Sequence, residues 1–183
     1  VMGALKIERA PVVAHSLGGL IANTLAAAHP DRVSGQILLG PVKALGPPGK
    51  DAMQGRAASV REKGMLAVAD TICNVGLSEK TKSSRPLTVS LTRSSLMSTP
   101  AEGYAQACLA LREATDPDYS RIVCPTLIVA GSEDKTSPAA TIQALSSALK
   151  HVQAVTLQDV GHWHAIEDVD AVSELLKGFA SGK

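Results

Sequence analysis

The chain has 183 residues, 45% of them apolar, and its 18 basic and 17 acidic side chains leave a net charge of +1. That length suits one domain with a sizeable core, and the interspersed charges argue against a nucleic-acid footprint or a membrane-binding surface. The apolar runs fall short of the roughly 20 residues of a membrane-spanning helix, and no signal-peptide pattern is legible, so a soluble protein is expected.

Taken in chain order, VMGALKIE (residues 1–8) reads as the end of a helix and APVVAHS (10–16) as a buried strand. LGGLIANTLAAAHP (17–30) follows as a helix in which Leu17, Leu20, Ile21, Thr24, Leu25 and Ala28 share one apolar face, stopped by His29-Pro30. SGQILLGP (34–41) is a second short strand, after which the pattern changes to a Gly- and Pro-containing bend and several amphipathic segments. These lie between about Asp51 and Asp118 and read as a helical insertion over about residues 45–120. IVCPTLIVAG (122–131) is a strand, AATIQALSSALK (139–150) a helix, VQAVTLQDVG (152–161) a strand and VDAVSELLKGFA (169–180) a closing helix. Strands alternating with helices imply an α/β fold with a parallel sheet flanked by helices. Cys73, Cys108 and Cys124 are odd in number and widely spaced among apolar residues, which points to buried, reduced thiols and a cytoplasmic setting.

The stretch VVAHSLGG, residues 12–19, carries the chemistry. An apolar run ending in small-x-Ser-x-Gly-Gly and opening a helix reads as a nucleophile elbow, with Ser16 at a strained turn and small residues, Ala14 and Gly18, on either side of it. There the Leu17 N–H is free to stabilise a developing oxyanion. Ser16 could equally be an ordinary helix N-cap. A serine nucleophile needs a base and a carboxylate to orient that base, and both follow in the order Ser, Asp, His. Asp134 sits just past the LIVAG strand and His162 just past the last strand, each behind a glycine, Gly131 and Gly161, that permits a sharp exit. Glu133 and Asp159 compete as the acid and His164 as the base, with poorer offsets from their strands. His162 and His164 lack the companions of a metal site. His15, inside the elbow, reads as a packing residue or a pocket residue that touches substrate.

These residues resemble those of α/β hydrolases, most closely the 3-oxoadipate enol-lactonase group. Beyond VVAHSLGG the resemblance is carried by AAHPDRVSGQILLG, RAASVREKGMLAVAD, PAEGYAQACLALREATD, PTLIVAGSEDKTSP and VGHWHAIED. It implies a small-molecule ester or lactone substrate attacked by Ser16, with His162 as base, Asp134 holding the imidazolium, and no metal or organic cofactor. An anionic substrate would call for an arginine in the helical cap. Arg56 matches one in the resembling cap segment, while Arg85 and Arg93 lie deeper, and solvated surface arginines are the alternative for each. Where the resembling enzymes tend to carry cap tryptophans this chain has Met53 and Gly76, which implies an enlarged pocket roof. The resembling enzymes also carry a long N-terminal stretch, with the first half of the sheet and a His-Gly loop that gives a second oxyanion donor. Val1 corresponds to a point just before the elbow. The expectation is therefore the C-terminal part of an α/β-hydrolase fold, a single partial domain over residues 1–183 with little activity of its own. The competing reading is a catalytically inactive remnant that binds a small carboxylate or a protein partner.

Overall fold

The computed structural model describes residues 1–181. Four strands, β1 (Ala10–His15), β2 (Val33–Leu39), β3 (Thr126–Gly131) and β4 (Val152–Leu157), form one parallel sheet in that spatial order. Helix α1 (Leu17–Ala28) connects β1 to β2, α7 (Ala139–Ala148) connects β3 to β4, and α9 (Val169–Ala180) closes the chain. Between β2 and β3 lie α2 (Pro47–Lys63), α3 (Leu66–Gly76), α4 (Glu79–Ser84), α5 (Pro86–Met97), α6 (Ala101–Glu113) and a 3-10 turn at Tyr119–Arg121. A single turn of helix, α8 (His164–Glu167), precedes α9. Among the described residues no helix is long and apolar enough to cross a membrane.

Strand alternation divides the core. Leu38 and Ile128 point to the face covered by α1 and α7, where they meet Ala22, Ala26 and Leu145. Their neighbours Ile37, Leu39, Leu127 and Val129 point to the other face and pack against Val172, Leu176 and Phe179 of α9. Gly35 makes the second contact possible, because a Cβ there would stand 2.9 Å from the Phe179 ring. The central strands, covered on both sides, read as continuous apolar runs for this reason. β1 lies at the sheet edge, and its Val13 is 55% exposed.

The expected strands and long helices all form, with three differences. Residues 1–8 make no α-helix; they form a turn in which Leu5 N–H bonds to the Val1 carbonyl and Ile7 N–H to that of Met2. The short helix α8 lies in a stretch read only as a loop. The third difference is the orientation of α1, which buries Gly19, Leu20, Ala22, Asn23, Ala26 and Ala27, while Ile21 on the expected apolar face is 60% exposed. Close approach of a helix to a sheet selects small side chains, so the larger residues that dominate a periodicity argument lie to the side. They line a groove with Ala110, Glu113, Ala114 and Thr115 at the end of α6.

Candidate active site

β1 runs straight into α1 with only Ser16 between them, and the reversal forces that residue to φ 55°, ψ −121°. A left-handed φ at a non-glycine residue costs about 1–3 kcal/mol and persists only where the surroundings impose it. Here the Ser16 N–H bonds to Leu39 O at 3.0 Å and the Ser16 carbonyl receives Gly19 N–H at 2.8 Å. The side chain caps no backbone N–H of α1, so the helix-cap role does not apply. Its Oγ stands 2.8 Å from His162 Nε2. As the first residue of α1, Leu17 has an N–H with no intrahelical partner. The steric demand falls on Gly19 rather than Gly18. A Cβ at Gly18 would meet Ala14 Cβ at an ordinary 3.6 Å, whereas one at Gly19 would lie 2.8 Å from Pro41 Cβ.

Asp134 and His162 project from the loops after β3 and β4, at the same sheet edge as Ser16. His162 Nδ1 is 2.8 Å from Asp134 Oδ2, so a continuous line joins carboxylate, imidazole and hydroxyl. A carboxylate only accepts, which puts the imidazole proton on Nδ1 and leaves Nε2 to receive the serine hydroxyl. Asp134 is buried, and its Oδ1 accepts the N–H groups of Thr136 and Ser137, each at 2.8 Å. Burial by itself would raise this carboxyl, but the hydrogen bond and charge of His162 and those two N–H groups outweigh it and hold the group below the usual aspartate range. Gly131 and Gly161 both have ordinary negative φ. They are small because a Cβ at either would collide with backbone, at Gly131 with the carbonyls of Val160 and Gly161 and at Gly161 with that of Gly76.

Two further residues shape the site and escape a reading of the sequence. Gly40, just past β2, has φ 50°, and a Cβ there would stand 2.7 Å from Asp134 Oδ2 and from His164 Cε1. Glu167 is 2% exposed, and among the described residues its carboxylate bonds only to backbone. Oε1 accepts Gly161 N–H at 3.0 Å and Trp163 N–H at 3.2 Å, on either side of His162, while Oε2 accepts Ser78 N–H at 2.8 Å. The loop carrying His162 is thus tied to the start of α4. Arg85 adds a bond from Nη1 to the Glu167 carbonyl.

The competing candidates make other contacts. Glu133 accepts Glu79 N–H at 2.8 Å, and Asp159 pairs with Lys80 at 3.2 Å on the surface. His164 is fully buried, with Nδ1 2.8 Å from the His162 carbonyl. His15, expected as a packing residue or a substrate contact, directs Nε2 to that same carbonyl at 2.6 Å. Arg93 pairs with Asp70 at 2.6 Å. Arg56 lies beside Tyr104 and Cys108 of α6, at a cavity of about 260 Å³ lined by Ser59, Val68, Thr71 and Ile72. Among the described residues Arg56 makes no hydrogen bond to Ser16, Asp134 or His162. Gly76 is not a vacated roof position: a Cβ there would stand 2.9 Å from Trp163 Nε1, so the indole of Trp163 already occupies that space. Cys73, Cys108 and Cys124 are free and buried.

A family model described as the alpha/beta hydrolase fold matches residues 1–169. The chain belongs to this family. As an alpha/beta hydrolase it is similar to 3-oxoadipate enol-lactonase 2 of Acinetobacter baylyi, at 29% identity over 174 residues that cover 94% of this chain and 64% of the relative. The enol-lactonase from Burkholderia xenovorans LB400 superposes with a TM-score of 0.90 at 30% identity, covering 98% of this chain and 68% of that one. A thermophilic esterase from Thermogutta terrifontis, solved with malate bound, superposes with a TM-score of 0.93 at 26% identity, covering 99% and 68%. The chain spans 64% and 66% of the length of two curated enol-lactonases that it matches.

Proposed function

We propose that this alpha/beta hydrolase cleaves carboxylic esters or lactones, with small enol-lactones as the favoured class, through an acyl-enzyme on Ser16. The observation that carries the reading is the unbroken line from Asp134 through His162 to Ser16, with both gaps 2.8 Å. Ser16 Oγ attacks the carbonyl carbon as its proton passes to His162 Nε2, and Asp134 stabilises the imidazolium that results. The negative charge on the carbonyl oxygen falls at the start of α1, where Leu17 N–H offers a donor. Collapse of the tetrahedral intermediate returns the proton to the leaving oxygen. For an enol-lactone that oxygen becomes an enol still tethered to Ser16 through the acyl group, and it passes to the ketone. Water, deprotonated by His162, then attacks the acyl-serine and releases the carboxylate, regenerating Ser16. The chemistry needs no metal or organic cofactor. Helices α2–α6, inserted between β2 and β3, are the proposed cap over this edge, and Arg56 is its proposed contact for a substrate carboxylate. The lactonase and esterase relatives support the substrate class.

The test is labelling of the purified, folded protein by a fluorophosphonate probe, beside Ser16→Ala and His162→Ala. The expected result is one adduct on Ser16, absent in Ser16→Ala and slowed by about 10³-fold or more in His162→Ala. A folded protein that stays unlabelled, or a label that survives Ser16→Ala, would overturn the reading and leave a binding role.

A further inference from the structure

One backbone carbonyl, that of His162, faces two imidazoles. His15 reaches it from the end of β1 with Nε2 at 2.6 Å, and His164 from the start of α8 with Nδ1 at 2.8 Å. We propose that His15 and His164 are positioning residues of the hydrolytic site, a paired imidazole clamp that holds the His162 backbone so that its ring spans Asp134 and Ser16. The proposal rests on the catalytic reading of those three residues.

A carbonyl oxygen has two lone pairs and only accepts, so both nitrogens facing it must carry hydrogen. His15 is therefore the Nε2–H tautomer and His164 the Nδ1–H tautomer. Burial and the neighbouring His162 ring push His15 down to about 4. Burial likewise pushes His164 below the usual histidine range, against the opposing pull of Asp134. Both rings are thus uncharged donors at neutral pH. They also flank the His162 ring, with centroids 4.6 Å away for His15 and 6.2 Å for His164. The peptide on the other side of His162 is held as well, since His162 N–H bonds to Gly76 O at 2.6 Å.

With both flanking peptide groups fixed, the imidazole keeps only its own side-chain torsions, and the two 2.8 Å gaps to Asp134 and Ser16 decide those. His164 carries one more sign of this task. Among the described residues its Nε2 is buried without a partner, 3.9 Å from the Asp134 oxygen that receives His162 Nδ1–H. A leucine or phenylalanine would fill that space without a stranded lone pair, so the feature that distinguishes histidine here is the Nδ1–H donor.

The two donors sit on different ring atoms, and amide side chains can imitate each separately. Asparagine places its NH2 near the Nδ1 position of histidine, and glutamine places its NH2 near Nε2. The experiment compares wild type with His164→Leu, His164→Asn, His164→Gln, His15→Leu, His15→Gln and His15→Asn. It reads kcat and KM on an activated ester, the fluorophosphonate labelling rate of Ser16, the urea midpoint, and the low-field proton resonance of His162 Nδ1–H. Loss of alignment predicts a fall in kcat of about 10- to 100-fold in each leucine variant with KM changed by less than about threefold. Asparagine at 164 and glutamine at 15 should recover most of that loss, while glutamine at 164 and asparagine at 15 should not. Equal activity of the matched and mismatched amides at both positions would overturn the clamp, and this comparison stands even where a leucine variant fails to fold. If the wild type does not react at Ser16, the hydrolase reading falls, and the resonance decides the clamp alone. Its loss in the mismatched variants supports the clamp, and an unshifted signal in them refutes it.

Discussion

Replacement of Glu167 by glutamine keeps the side chain's shape and changes only what its two ends can do. Oε1 serves Gly161 and Trp163, and Oε2 serves Ser78, all through backbone N–H groups. If the amide oxygen takes the paired site, the new NH2 points at Ser78 N–H, donor against donor. That strands one buried N–H at about 1–3 kcal/mol, and the two remaining bonds lose their charge assistance at about 0.5–1 kcal/mol each. The glutamine is cheaper to bury than the carboxylate, which offsets part of this. A net loss of about 2–3 kcal/mol follows. In urea, with a slope of about 2 kcal/mol/M, the midpoint should fall by more than about 1 M at unchanged slope. Because Gly161 and Trp163 flank His162, Ser16 labelling of the folded variant should slow as well. A midpoint within about 0.3 M of wild type, with an unaltered labelling rate, would show that these N–H groups do not depend on the carboxylate and would refute the reasoning.

Gly40→Ala should cost about 2–4 kcal/mol, from a left-handed φ and a methyl 2.7 Å from Asp134 Oδ2, and should slow Ser16 labelling even where the fold survives; unchanged labelling in a folded variant contradicts it. Gly76→Ala should displace the indole of Trp163, the chain's one tryptophan, so a shift in its fluorescence maximum is expected together with about 1–3 kcal/mol of destabilisation. Stability should also fall as pH drops. His15 titrates near 4 in the native state against 6.5 when free, so protons bind the unfolded chain better over that range. The stability this ring contributes is fully present above pH 6.5 and is lost as pH falls through about 4. It amounts to at most about 3 kcal/mol. Urea midpoints across this window should slope less in His15→Gln than in wild type, and parallel slopes would remove His15 as the cause.

Ser16, Asp134 and His162 stand out as candidates in the sequence because each lies within a few residues of the end of an apolar strand, immediately after β1 and in the loops after β3 and β4, and the structure brings the three side chains together. Helix α1 was legible as a helix but not in its orientation, since an apolar-face argument weights Leu17, Ile21 and Leu25 while the sheet accepts Ala22 and Ala26. Glu167 gave no signal, because a carboxylate that serves only backbone N–H groups has no local pattern in one dimension. Gly76 misled for a related reason: the residue that occupies its space, Trp163, is far away in sequence. Residues 1–8, expected as the end of a helix, form a turn instead.

The parallel order β1-β2-β3-β4 puts Ser16 and His162 at a hydrogen-bonding distance across 146 positions of chain, and Asp134 and His162 across 28. The β3-α7-β4 unit can bring Asp134 and His162 together by itself, but Ser16 joins them only when β1 and β2 have docked on β3. Loop closure over such separations comes late, after the strands between have found their neighbours. On the proposed function, reactivity at Ser16 would therefore double as a stopwatch for folding. Refolding followed by a rapid serine probe should lag behind the return of helical signal, and species that are collapsed but lack β4 beside β3 should be silent.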